Sequence, residues 1–444
     1  MKCPDWGAFA DQRDASVREE SESPNPYGPE RATLPYMSHR LLLFLLAALS
    51  LAAESIPVKP EAVGLSSERL ARVHETMQRH IDAHNIAGAV TLVARNGKIA
   101  HLEAHGSMDV EASRPMTKDA IFRVFSMSKP VAGTAILMLV EQGKVRLNDP
   151  VSKFIPEFKG MKVAVTDAAV QPQQNYTIPA SREITIQDLL SHVSGMGSGP
   201  VAAAGLRKLL GELGQSTLAE MMPKYAATAL EFQPGAKWSY SALAGFDVLG
   251  RVVEIASGST FDQYLKDNLF GPLGMKNTAF HPGDDNWPRV ASAYHRTESS
   301  TLAKVEKPNA LQSKTYFSGA GGLVSTAEDY AQFGMMLAAG GKWNGKRLLS
   351  PKTVDLMSSV FVPDTLPGRR AGLGYGLSVV VVADPIRAGY RVSQGSFGWD
   401  GAYGTHFWVD PKEKIVGVMM IQTDNPERQL DRDFENAVMQ AVVE

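Results

Sequence analysis

The sequence predicts a mixed α/β (α+β) protein: one antiparallel sheet built from both chain ends, flanked by helices, with a mostly helical region inserted. Three observations predict it. Short runs of strand texture lie near residues 89–105 and again after Gly372. The stretch between, about 149–369, reads mainly as helices and loops. Amphipathic helical patterns stand close to both chain ends, where each can cover a sheet face. The 444 residues are 44% hydrophobic, ample for a sizeable core.

Taken in order, residues 1–36 are polar and lack periodicity, a composition that does not fold alone and need not be translated. Met37-Ser38-His39-Arg40, the apolar run Leu41 to Leu49 and the small residues to Ala53 read as a secretory signal peptide over 37–53. The run is too short to span a membrane, which takes about 20 residues. The expectation is a start at Met37, cleavage after Ala52 or Ala53, and an exported mature chain, which N-terminal sequencing would read directly. The domain then occupies 54–444, with the sheet drawn from about 58–148 and 370–444.

Ser66 is a good N-cap, and Leu70, Val73, Met77 and Ile81 follow at helical spacing. His80 and His84 lie four apart on this helix, yet no third ligand accompanies them, so they read as an ordinary polar face. Asn96-Gly97 between two apolar-rich runs is a hairpin signal. The apolar run from Val131 to Val140 gives the helix that opens at Ser126 a buried character, and Gly143 ends it. Ile186–Ser194, Thr217–Tyr225 and Ala242–Ala256 read as further helices. Ser325-Thr326-Ala327-Glu328 reads as a capping box opening another. The late strands are read at Leu377–Val382, Arg391–Gly398, Thr405–Val409 and Ile415–Gln422, before a closing helix at Asp433–Val442.

The net charge is −2 with both signs scattered, which leaves no basic patch for nucleic acid. Cys3 is the single cysteine, so neither a disulfide framework nor a thiolate metal site is built.

Ser126 and Lys129 lie three apart at a helix start, on one face of the first turn. A buried amine can release its proton near neutral pH and then accept one from the serine. That makes Ser126 a candidate nucleophile and Lys129 its base. Tyr240 stands at a loop-to-helix junction, where a phenol beside a lysine can share that proton. Trp399-Asp400-Gly401-Ala402 falls between two late strands, where free N–H groups at a strand edge suit an oxyanion.

Together, Ser126-Met127-Ser128-Lys129, Tyr240-Ser241-Ala242 and Trp399-Asp400-Gly401 resemble the serine β-lactamase and penicillin-binding-protein superfamily, in its order. The nearest branch is the family VIII carboxylesterases, which resemble class C β-lactamases. Asp188-Leu189-Leu190-Ser191-His192-Val193-Ser194-Gly195, Phe232-Gln233-Pro234-Gly235 and Gly321-Gly322-Leu323-Val324-Ser325-Thr326-Ala327 support it. The resemblance implies a β-lactamase/DD-peptidase-like fold and ester hydrolysis through an acyl-enzyme on Ser126. It gives an oxyanion hole from the backbone N–H groups of Ser126 and Ala402. Substrate contacts would fall to Phe125, Trp399, Asp400 and Gly401, with no metal or organic cofactor and a small-molecule ester as partner.

Two departures refine this. The lactamase pattern has asparagine where this chain has Ala242, and lysine-threonine-glycine where it has Trp399-Asp400-Gly401. Esterases usually carry Trp-Gly-Gly there, so Asp400 is unusual even among them. An apolar aromatic suits a neutral ester better than a β-lactam carboxylate. The rival readings are a β-lactamase or D-alanyl-D-alanine carboxypeptidase, and a catalytically silent scaffold on the same fold. No Gly-x-Ser-x-Gly pentapeptide occurs, which weighs against an α/β-hydrolase.

Overall fold

Strand β1 (Gly88–Arg95) is buried along its whole length, which only a central strand covered on both faces can be. It turns through Asn96 and Gly97, both at positive φ (53° and 72°), into β2 (Lys98–Asp109). That is the primed turn the Asn-Gly pair predicts. The other neighbour of β1 comes from the far end of the chain. Arg95 pairs with Ile415 and Ala89 with Ile421 of β8 (Ile415–Ile421). With β3 (Arg114–Pro115), β4 (Leu373–Tyr375), β5 (Val380–Val382), β6 (Phe397–Asp400) and β7 (His406–Asp410), the sheet runs β4-β5-β6-β7-β8-β1-β2-β3. Every pairing in it is antiparallel.

The computed structural model describes residues 57–167, 174–197, 209, 215–306, 313–426 and 429–444. The expected signal segment at 37–53 and the polar stretch 1–36 lie outside these. Among the described residues no helix is long and apolar enough to cross a membrane.

Alternation along the strands sorts the core into two layers. Ala89, Val93, Trp408 and Met419 point toward the terminal helices α1 (Arg72–Asp82) and, last in the chain, α7 (Leu430–Met439), meeting Val73, Met77, Phe434 and Val438. Val90, Leu92, Phe407 and Val418 point the other way into the larger core. That core holds α2 (Ser128–Glu141), α3 (Ile186–Leu190), α4 (Leu218–Ala226), α5 (Ala244–Ser257) and α6 (Ala327–Ala338). Helix α2 is buried from Ser128 to Leu139, as befits one enclosed on every side.

Several expected boundaries move, each for a local reason. The stretch 391–396 is a loop, because Asp410 takes the Ser393 N–H (2.8 Å) and Gly395 adopts a φ of 86°. The strand expected from Leu377 begins only at Val380, since Ser378 sits at a φ of 69° and its N–H goes to Leu190. Thr326, not Ser325, caps α6 by accepting from the Asp329 N–H, while Ser325 bonds Thr278. Helix α3 stops at Leu190, and α7 lies three residues earlier at both ends than expected. The inserted region also carries two hairpins, Lys162–Asp167 with Gln174–Pro179 and Tyr294–Arg296 with Leu302–Lys304. The Gly-rich loop read after Gly195 is described only to Gly197. His80 is no ligand: its ring nitrogens bond Asp433 and Asn85 (3.0 and 2.9 Å).

Candidate active site

Ser126 stands in a 3-10 turn, Phe125–Met127, that runs directly into α2. Two bonds brace the turn: Tyr330 donates to the Met127 carbonyl (2.7 Å) and Ser128 accepts the Leu323 N–H (3.1 Å). Lys129, one turn on, is fully buried. Its Nζ reaches Ser126 Oγ at 3.2 Å and donates to the carbonyls of Ala242 (2.9 Å) and Ala320 (2.7 Å). Tyr240 arrives from the loop before α5 and donates its OH to Ser126 Oγ at 2.6 Å. Its ring lies 4.9 Å from Lys129 Nζ. Serine, lysine and tyrosine, 114 residues apart at the extremes, thus converge on one oxygen.

The turn at Gly401 closes the other side. A Cβ there would fall 2.0 Å from Thr405 Oγ1 and 2.6 Å from the Val124 carbonyl, so only glycine lets this turn approach the Phe125–Met127 turn. The backbone N–H groups of Ser126 and of the exposed Ala402 have no partner among the described residues. Phe125, at a φ of 42°, is buried and stacks on Tyr403 with ring centres 4.9 Å apart. Phe125, read from the sequence as a substrate contact, clamps the two turns together through this stack. The clamp holds a left-handed conformation that a non-glycine residue adopts only when its surroundings enforce it.

Trp399 is half-buried and faces Tyr240 (5.5 Å), Tyr375 (5.2 Å) and His192 (6.2 Å), forming an aromatic wall beside Ser126. Burial, with Lys129 and Arg369 nearby, holds the His192 imidazole well below its usual range and so neutral. Its Nδ1 accepts the Ser241 N–H at 3.1 Å, beside Tyr240. Arg369 brings a cation over Trp238 (4.3 Å), with its guanidinium bonded to the carbonyls of Leu373 and Gly374.

Asp400 departs from the expected substrate role. The strand alternation that turns Trp399 to the cleft turns Asp400 to the opposite face, where it pairs across the ladder with His406. Its Oδ1 lies 2.5 Å from His406 Nδ1, and Glu435 lies 3.2 Å from the other ring nitrogen. Partial loss of water around the pair would by itself raise Asp400 and depress His406, but their mutual attraction outweighs it. Asp400 stays below the usual carboxylate range, and His406, helped by Glu435, is pushed up to about 10. A raised histidine stabilises the fold fully below its unfolded pKa of about 6.5, and the contribution fades as pH climbs through about 10. Asp400→Asn is therefore expected to lower the melting temperature more at pH 6 than at pH 10. With the Asp400 side chain 60% exposed, the loss at pH 6 is about 1 kcal/mol. Equal losses at the two pH values would refute this pairing as the source.

Sequence reasoning missed the support beneath Lys129. Asp247 of α5 is fully buried and accepts from Tyr316 (2.6 Å), Tyr225 (3.1 Å), Ser318 (2.6 Å) and the Ala320 N–H (3.2 Å). Burial raises its carboxyl, and these four donors oppose that shift. The network fixes the segment whose Ala320 carbonyl holds Lys129. No local motif marks it, because its members are up to 95 residues apart in sequence.

Comparisons with known proteins identify the family. The sequence profile of the Beta-lactamase family matches residues 73–440. Esterase EstB of Burkholderia gladioli is 29% identical over 403 residues, covering 82% of this chain and 93% of EstB. A putative D-alanyl-D-alanine carboxypeptidase of Salmonella agona is 27% identical over 416 residues, covering 86% of this chain and 91% of its own. Among solved structures, EstCE1, a hydrolase with promiscuous acyltransferase activity, superposes with a TM-score of 0.72 at 29% identity. That match covers 84% of this chain and 99% of EstCE1. The chain belongs to the Beta-lactamase family, and with it to the serine hydrolases of the β-lactamase and penicillin-binding-protein superfamily.

Proposed function

We propose that this protein is an exported carboxylesterase that cleaves short- to medium-chain esters through an acyl-enzyme on Ser126. The observation that carries the reading is the joint hold of Tyr240 OH and Lys129 Nζ on Ser126 Oγ (2.6 and 3.2 Å). Two of the directions around Lys129 Nζ are spent on carbonyls, and the third is aimed at the serine oxygen. The serine proton passes into the Tyr240–Lys129 pair as Oγ attacks the ester carbonyl. The oxyanion is taken by the N–H groups of Ser126 and Ala402. The pair returns the proton to the departing alcohol, and water repeats the sequence to release the acid.

Trp399 and its aromatic neighbours support a neutral ester over a charged lactam, as does Ala242, whose side chain is only a methyl group. EstB and EstCE1 favour the same chemistry, and the Salmonella relative favours peptide release. A panel of p-nitrophenyl esters of increasing chain length, one cephalosporin and a D-alanyl-D-alanine peptide tests the choice. Short to medium esters are expected to exceed the other two in kcat/KM by roughly a hundredfold or more. Faster cephalosporin hydrolysis, or faster D-alanine release, would replace this reading with the corresponding rival.

A further inference from the structure

On the face of the sheet that carries the terminal helices, three metal-ligating side chains meet and share none of the hydrogen bonds of Ser126. His74 projects from α1, while Glu103 and His105 project from the same face of β2 two residues apart. Their ligand atoms all lie within 4.8 Å of one another. We propose that His74 Nδ1, Glu103 Oε1 and His105 Nδ1 form a binding site for a divalent zinc-type ion.

An ordinary ion pair accounts for only part of the cluster. His74 Nδ1 and Glu103 Oε1 are 2.7 Å apart and satisfy each other when Nδ1 carries a proton. His105 is left over. Its side chain is only 1% exposed, and its Nδ1 is buried without a hydrogen-bond partner, 4.0 Å from Glu103 Oε1. The opposite nitrogen explains why. His105 Nε2 and His101 Nε2 both bond the hydroxyl of Thr91 (2.9 and 2.8 Å), which can donate to one and accept from the other. When His105 supplies its Nε2–H and Thr91 donates on to His101, Nδ1 is a bare lone pair facing a carboxylate. A cation between them resolves that conflict. A ligand histidine whose other nitrogen is fixed by a hydrogen bond is the usual supporting arrangement of a metal site.

The spacing fits. Tetrahedral zinc with bonds of about 2.0–2.2 Å sets its ligand atoms about 3.3 Å apart. The separations of 2.7 and 4.0 Å straddle that value, so a small rotation of Glu103 or His74 equalises them. Imidazole and carboxylate together suit zinc better than calcium or magnesium, which take oxygen ligands. His74 is 55% and Glu103 35% exposed, which gives the ion a route in and leaves a fourth position for water. The bound ion would tie helix α1 to strand β2. The cluster of Asp400, His406 and Asp431 does not compete, because both ring nitrogens of His406 are already ion-paired.

The test is titration of the full, chelator-dialysed chain with Zn2+ in a calorimeter, repeated on His74→Ala and Glu103→Gln. The expected result is one saturable site of micromolar or tighter affinity, weakened roughly tenfold or more in each variant. Cobalt substitution is expected to give the intense visible bands of tetrahedral coordination, lost in His74→Ala. His74 is exposed, so that variant keeps its metal-free melting temperature and the comparison is not confounded by unfolding. Absence of saturable binding to the parent chain would overturn the site. So would binding that His74→Ala leaves unchanged, because the ion would then sit elsewhere.

Discussion

Replacing Ser126 with alanine is expected to cut turnover of short p-nitrophenyl esters by about four orders of magnitude or more. The substitution removes the oxygen that the proposed mechanism uses for attack and nothing else of consequence. Ser126 Oγ contacts only Lys129 Nζ and Tyr240 OH among the described side chains, and Lys129 keeps two carbonyl acceptors without it. The melting temperature should therefore stay close to the parent value. A fluorophosphonate probe, read by mass spectrometry of the labelled peptide, supplies an independent measure. It should mark the parent at Ser126 and leave Ser126→Ala unmarked. Retained ester turnover in the variant would remove Ser126 from the mechanism. Failure of the probe to label the parent would favour a silent scaffold on the same fold.

Lys129→Met carries the second large effect and a different signature. Methionine nearly preserves the volume of a side chain that is fully buried, so packing in α2 is disturbed little. The lost amine matters twice. Its removal leaves the carbonyls of Ala242 and Ala320 without their donor, at about 1–3 kcal/mol for each group that stays dry. It also removes one half of the proton-accepting pair, worth about 10²–10⁴ in rate. Lys129→Met should thus be both slow and less stable, whereas Ser126→Ala should be slow alone. Thermal unfolding of the two variants side by side, with kcat measured on the same ester, checks the distinction. A Lys129→Met enzyme with parental kcat would assign the proton to Tyr240 alone.

Much of this site was legible because its parts are short and local. Ser126 and Lys129 share a helical turn, Asn96-Gly97 dictates a hairpin, and a glycine beside Trp399 marks a close approach. What escaped the sequence is set by tertiary neighbours. The stack of Tyr403 on Phe125 joins residues 278 positions apart, which no local pattern announces. Asp400 looks like part of the substrate motif until the strand alternation turns it toward His406. His80 and His84 drew attention by their spacing, yet the histidine that meets other ligands is His74, because strand β2 passes beneath it. Asp247 carries no motif at all, and only the fold gathers its four donors.

The pairing of β1 with β8 also governs when the molecule can exist. Nearly the whole domain, more than 300 residues, separates these two neighbours in the chain. During synthesis the hairpin of β1 and β2 can form long before its partner strand, more than 300 residues further on, is made. Until then Val90, Leu92 and Val93, which end fully buried, lack the strand that completes their cover. Loop closure over such a separation must be met before its contacts reward it, so completion of the sheet is expected to be a late step in folding. The same delay keeps the emerging sheet incomplete for longer, a state that suits the export proposed above.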